Sequence, residues 1–376
     1  MKEEKEVAAS VMNPDAENLD RMTAGSDSES SEIDGFSEED WTEMGRTLEQ
    51  MTDPAYLHTV TVKELFNTVY LSKPPIIDGL LYPGTYLFAG APKVGKSFLM
   101  AQLARHVSTG KPMWGFQVRQ GTVLYLALED DYRRLQGRMY RMYGTEEPDN
   151  LHFSTWAKQL GGGLQEQLQQ FVRNHPDTRL IIIDTLQKIR ETAGEMYSYA
   201  NDYDVVGQLK QIADQTGICL LLVHHTRKQQ AEDIFNMISG TTGLAGAADG
   251  AFVLHKDKRI GATAVLEVSG RDQQEQKLHL KKNPEMLVWE LEERETEIWR
   301  EPPDPLLEKI GRMMESAQTW QGSATELKTI LNAEETPNSI TKKLNIRAGK
   351  LLNDYRIQYE NVHGRNGSVI TLSQVD

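Results

Sequence analysis

Leu87–Val107 reads LFAGAPKVGKSFLMAQLARHV. Gly90-Ala91-Pro92-Lys93-Val94-Gly95-Lys96-Ser97 fits the pattern G-x-x-x-x-G-K-[ST], with Phe98 opening the run behind it. The spacing has a chemical reason. Glycines let the backbone wrap a polyphosphate and aim its N–H groups inward. Lys96 reaches the β and γ phosphates, the Ser97 hydroxyl takes Mg²⁺, and a helix N-terminus adds positive potential. An apolar strand before the loop and a helix after it are the required context. The stretch therefore predicts an ATP and Mg²⁺ site formed by Gly90 to Phe98, and an α/β fold around it.

On both sides of this loop, strands and helices alternate. Strands are predicted at Tyr86–Ala89, Thr122–Leu128, Leu151–Phe153, Leu180–Asp184, Ile218–His224, Ala251–Leu254 and Val265–Val268, and helices at Lys96–Val107, Tyr132–Tyr143, Leu164–Asn174 and Val205–Thr216. Runs such as LIIID and CLLLV suit strands buried on both faces. Repeated strand–helix–strand order means a mainly parallel sheet covered by helices. After about Ala251 strands succeed one another, so FVLHK, ATAVLEVSG, KLHLKKN and MLVWELE are expected to extend the sheet antiparallel.

Strand ends on the carboxyl side of such a sheet face the ligand crevice. Asp184 closes LIIID and is placed to hold the Mg²⁺ water shell beside Ser97. Glu129, Asp130 and Asp131 follow TVLYLAL. Glu129, the first acid off the strand, is the candidate general base for the attacking water, and one of the two aspartates is expected to cap the next helix. His224 and His225 end ICLLLVHH, where one imidazole can touch the γ-phosphate and the other serve the structure. A long Gly-rich stretch follows, opening with Arg227 and Lys228, either phosphate contacts or solvated charges.

The 376 residues suffice for one large and one small domain, and no apolar run reaches membrane-span length. The acidic start is not a signal peptide, and the single cysteine, Cys219, permits no disulfide framework; a reducing cytoplasm fits. Net charge is −14, but the first 50 residues hold 15 acids against 4 bases. The rest of the chain is nearly neutral, so its total does not argue against nucleic acid. Residues 1–35 read as a disordered acidic tail, 36–84 as an N-terminal helical segment, 85–300 as the ATPase domain and 305–376 as a separate unit beyond the Pro-rich linker at Glu301–Pro305. That last unit predicts three or four short helices and a hairpin turning at Asn366–Gly367, a winged-helix-like arrangement. Lys342, Lys343, Arg347, Lys350 and Arg365 would meet DNA phosphates there; a protein-docking module is the alternative.

Taken in order, GAPKVGKS, YLALEDDYRRLQGRM, LIIIDTLQKIR, LLLVHHTRK, SGTTGLAGAADG and VSGRDQQEQKLHL resemble the RepA-type ring helicases of plasmids and integrative mobile elements, within the RecA-like P-loop ATPases. The resemblance covers roughly residues 70–292. It implies Glu129 as the water-activating acid, Asp184 as the Mg²⁺ carboxylate and His225 as the γ-phosphate sensor. It puts Arg271 where such proteins offer a basic finger to a neighbouring subunit, with Arg259, Lys281 and Lys282 as alternatives. It also implies a homo-hexamer or other ring and single-stranded DNA drawn past the loop of Arg227 and Lys228; the sequence shows no primase site, so a primase partner would be a separate protein. An ATPase that remodels protein–DNA complexes and an ATP-switched DNA-binding regulator are the rival readings.

Overall fold

The computed structural model describes residues 55, 57, 59–70, 73–190, 199–227, 233–238, 242–256, 261–271, 273–296, 304–364 and 367–375. The tail 1–35, the predicted helix after Phe36, Lys228, Arg259 and Arg365 lie outside them. Two compact units emerge. One is Lys73–Glu301, and the other combines residues up to Ser72 with Pro302–Asp376.

The larger unit carries a nine-stranded sheet in the order β3-β2-β4-β5-β1-β6-β7-β8-β9. Its strands are β1 (Gly84–Gly90), β2 (Thr122–Ala127), β3 (Leu151–Ser154), β4 (Thr178–Asp184), β5 (Cys219–His225), β6 (Gly250–His255), β7 (Thr263–Gly270), β8 (Gln273–Lys282) and β9 (Trp289–Thr296). The six strands from β3 to β6 are parallel, and β7–β9 are added antiparallel. The run FVLHK therefore belongs to parallel β6, and the antiparallel extension starts one strand later than its sequence suggests.

Pleating distributes the central strands between two cores, because successive side chains point to opposite faces. Leu180, Ile182, Cys219, Leu221 and Val223 enter one core with Val123 and Tyr125. Ile181, Ile183, Leu220 and Leu222 enter the other with Leu124 and Leu126. The first core is roofed by α2 (Lys96–Thr109) and α3 (Tyr132–Tyr143). The second is covered by α4 (Leu164–Asn174), α5 (Leu186–Ile189), α6 (Tyr199–Thr216) and α7 (Thr242–Ala247). The sequence places the start of α6 at Val205, but the helix begins six residues earlier. Tyr199–Asp204 is polar and carries no apolar stripe to announce it.

The smaller unit contains α1 (Val62–Asn67), α8 (Pro305–Met314), β10 (Thr319–Gly322), α9 (Ala324–Leu331), α10 (Pro337–Tyr355), β11 (Ile357–Gly364) and β12 (Gly367–Gln374). Two expectations change here. SITKKLN and IRAGKLLNDYR form one helix, because no Gly or Pro stop separates them and Ile340, Leu344, Ala348 and Leu351 make a continuous buried stripe at helical spacing. The described part of the span 36–84 divides between the two units at Ser72 and Lys73. Helix α1 belongs with the C-terminal elements, while Lys73 onward belongs to the sheet unit.

A buried amide locks α1 in place: Asn345 donates from Nδ2 to the Phe66 carbonyl at 3.0 Å and accepts the Tyr359 hydroxyl at 2.7 Å. Tyr359→Phe is expected to cost about 1–3 kcal/mol, the cost of stranding a buried acceptor. A urea midpoint equal to the parent's would refute it.

Candidate active site

The sheet order places β2, β4, β5 and β1 side by side, so four carboxyl ends share one edge. Ala127 lies beside Asp184, Asp184 beside Val223, and Gly90 beside His225. The loop between β1 and α2 crosses this edge. Gly95 caps α2 with φ at 115°, a conformation that favours glycine. A Cβ at Gly90 would lie 2.7 Å from the Leu254 carbonyl, so only glycine fits where the loop leaves the sheet.

Helix α2 roofs the face that holds Leu180, Ile182, Leu221 and Val223. Asp184 and His225 continue that parity, so both meet the start of α2. Ser97 Oγ donates to Asp184 Oδ2 at 2.8 Å. Lys96 Nζ donates to the carbonyls of Gly90 at 2.8 Å and Ala91 at 3.2 Å, and lies 3.3 Å from His225 Nδ1. His224 has the other parity and is buried at 5% exposure. The pleat puts His225, not His224, beside Lys96.

Glu129 leaves β2 beside these groups and accepts from the Thr185 hydroxyl at 3.2 Å. Asp131 caps α3 by accepting from the Arg134 amide at 2.8 Å. Asp130 pairs with Arg134 at 3.1 Å and Arg138 at 2.6 Å. Of the three acids, Glu129 alone is engaged with the residue that follows Asp184. The Asp184–Thr185 peptide is cis.

Burial shifts the charged groups of the site. Burial pushes the Lys96 ammonium below its usual pKa, opposed by the nearby carboxylates of Asp184 and Glu129. Burial also pushes the Asp184 carboxyl up, against the hydrogen bonds from Ser97 and Tyr125. His225 is held below the usual imidazole value by burial and then by Lys96. None of the ion pairs among the described residues involves Lys96. A buried ammonium with no direct ion pair among the described residues fits a phosphate group. For Mg²⁺, the described residues contain no cluster of three or more acidic, His or Cys side chains able to hold a metal alone. Ser97 and Asp184 are hard oxygen donors that fit Mg²⁺ held jointly with nucleotide oxygens.

Arg271 is not brought to this site. Its amide donates to the Asp249 carbonyl, and the Asp249 amide to the Thr85 carbonyl. That is the opposite end of β1, about 16 Å of strand away. Its guanidinium bonds the Gly246 carbonyl at 3.0 Å and is largely exposed. Lys281 pairs with Glu292 at 3.4 Å, and Lys282 lies 3.8 Å over the Phe98 ring. Arg227 is exposed after β5, its amide bonded to the Met237 carbonyl. Two residues at the site escape a reading of the sequence: Thr185, which touches the candidate base, and Tyr125, which bonds Asp184. The signal for Thr185 is its place directly after the strand-end acid. For Tyr125 it is a hydroxyl within an otherwise apolar run.

Three solved structures are similar at low identity. A solved ATPase domain matches over 69% of this chain and 100% of its own, at 14% identity and TM-score 0.48. A DnaB-like replicative helicase, described with its interactions with primase, matches over 67% of this chain and 71% of its own, at 16% and 0.48. A KaiC-like protein from Pyrococcus horikoshii matches over 60% of this chain and 99% of its own, at 15% and 0.41. A comparison with curated proteins gave no match. Residues 52–231, which hold the phosphate loop, Glu129, Asp184 and His225, match a family model described as an AAA domain.

Proposed function

We propose that the chain is an ATP-dependent DNA helicase or translocase that works as a ring, hydrolysing ATP between subunits and moving on single-stranded DNA in plasmid or mobile-element replication. The observation that carries this reading is the meeting of Lys96, Ser97, Glu129, Asp184 and His225 at one sheet edge. Loop amides and Lys96 bind the β and γ phosphates. Glu129, oriented by Thr185, takes the proton of the attacking water. His225 accepts from Lys96 at Nδ1 and keeps its other ring nitrogen for a phosphate oxygen, which lets it report hydrolysis to the segment that follows β5. Bound Mg²⁺ would neutralise charge on the phosphate oxygens. A water-activating acid has no use in a pure ATP switch, which favours hydrolysis over the regulator reading.

Arg271 sits outside its own chain's site, exposed at the opposite sheet edge. That placement supports its use as a finger in the site of a neighbouring copy. Arg271→Ala is expected to lower turnover about 10³-fold while leaving nucleotide binding intact, and parent activity per subunit should fall on dilution. Turnover independent of both would refute a site completed in trans. Strand displacement from a forked duplex with ATP and Mg²⁺ tests the helicase reading. DNA-stimulated hydrolysis without displacement would favour the remodeller.

In the smaller unit, helices α8, α9 and α10 with the sheet β10-β12-β11 support a winged-helix reading, with α10 as the DNA-facing helix. Lys342, Lys343, Arg347 and Lys350 are its basic residues, and Lys343 is already paired with Glu335 at 2.7 Å. Arg347→Ala is expected to lower the slope of log affinity against log salt by about one, as measured by DNA titration at several salt concentrations. An unchanged slope would remove Arg347 from the phosphate contacts.

A further inference from the structure

Asp184 Oδ2 has a second donor besides Ser97. The Tyr125 hydroxyl reaches the same oxygen at 2.8 Å from the adjacent strand β2. Tyr125 is fully buried, and its ring packs at a tilt against Phe153 with centroids 5.6 Å apart. A phenylalanine would fill this place in the core as well, and a buried hydroxyl costs free energy unless it is bonded. Tyr125 lies on the same pleat face as Asp184, one strand over, which is why the bond can form.

A carboxylate turns easily about its last torsion, since that well is broad. Ser97 alone is a poor clamp for Asp184. Its hydroxyl belongs to the first turn of α2, and in an ATPase its oxygen also serves Mg²⁺. Tyr125 has no such second duty and approaches from the rigid sheet.

Resting on the ATPase reading, we propose that Tyr125 is a positioning residue for Mg²⁺-dependent nucleotide binding: its hydroxyl holds Asp184 Oδ2 toward Ser97 and so sets the carboxylate that receives the metal's water shell. Outer hydrogen bonds of this kind typically carry a tenfold or greater effect on metal affinity.

The test is a Mg²⁺ titration of fluorescent ADP binding to the full chain, with thermal melting run in parallel. Tyr125→Phe is expected to raise the Mg²⁺ concentration at half-maximal binding about tenfold, with nucleotide binding in the absence of Mg²⁺ unchanged. Phe153→Leu, which disturbs the ring's packing and keeps the hydroxyl, is expected to lower the melting temperature without moving the Mg²⁺ midpoint. A parent-like midpoint in Tyr125→Phe overturns the proposal. So does a shift of equal size in Phe153→Leu, which would make it a packing effect. A parent protein that binds no nucleotide with Mg²⁺ present would overturn the ATPase reading itself, and that failure shows in the parent before any variant is compared.

Discussion

Glu129→Gln is expected to bind ATP like the parent and hydrolyse it about 10²–10⁴-fold more slowly, the range that a positioned general base supplies. The substitution keeps shape, and the Thr185 hydroxyl can still donate to the amide oxygen of glutamine. Only the ability to take a proton is removed. Asp130 cannot substitute, because two arginines hold it, and Asp131 is committed to the first turn of α3. Single-turnover hydrolysis alongside nucleotide titration separates chemistry from binding. Hydrolysis at the parent rate would remove Glu129 as the base.

Lys96→Ala is expected to lower kcat/KM for ATP by about 10²–10³, comparable to loss of a preorganised charge partner of the transferring group. The same variant should leave the nucleotide-free protein within about 1 kcal/mol of parent stability. The lost ammonium is buried at 7% exposure, and among the described residues it is bonded to two carbonyls and the His225 imidazole. Its desolvation cost therefore offsets most of what its hydrogen bonds contribute. Nucleotide should raise the melting temperature of the parent by mass action and fail to raise that of the variant. A variant that still hydrolyses ATP at the parent rate would show that the loop does not clamp phosphate.

Much of the larger unit was legible in the chain. The loop Gly90–Ser97, the apolar runs ending in Asp184 and His225, and the alternation of elements lead to a parallel sheet with its polar residues at one edge. Period-2 burial also makes His225 and Asp184 readable as residues of the face covered by α2. Both share parity with the residues that face α2, so counting the pleat along each strand puts both on that face. Less was legible where the signal is not periodic. Tyr199–Asp204 is helical by its attachment to α6, not by pattern. The two short helices expected from SITKKLN and IRAGKLLNDYR became one long helix because burial of Asn345 and Ala348 runs through the place where a break was expected.

Glycine geometry, charge and pleat parity are local properties, and they suffice for the phosphate loop, the strand-end acids and the division of the strands between two cores. Strand order and register are not local. They selected which of three adjacent acids faces Thr185, brought Tyr125 to Asp184 from the neighbouring strand, and left Arg271 a strand's length from its own chain's nucleotide loop. The side-chain pairs that meet at the site lie 56 to 129 positions apart in the chain, and no local pattern encodes a contact across that separation.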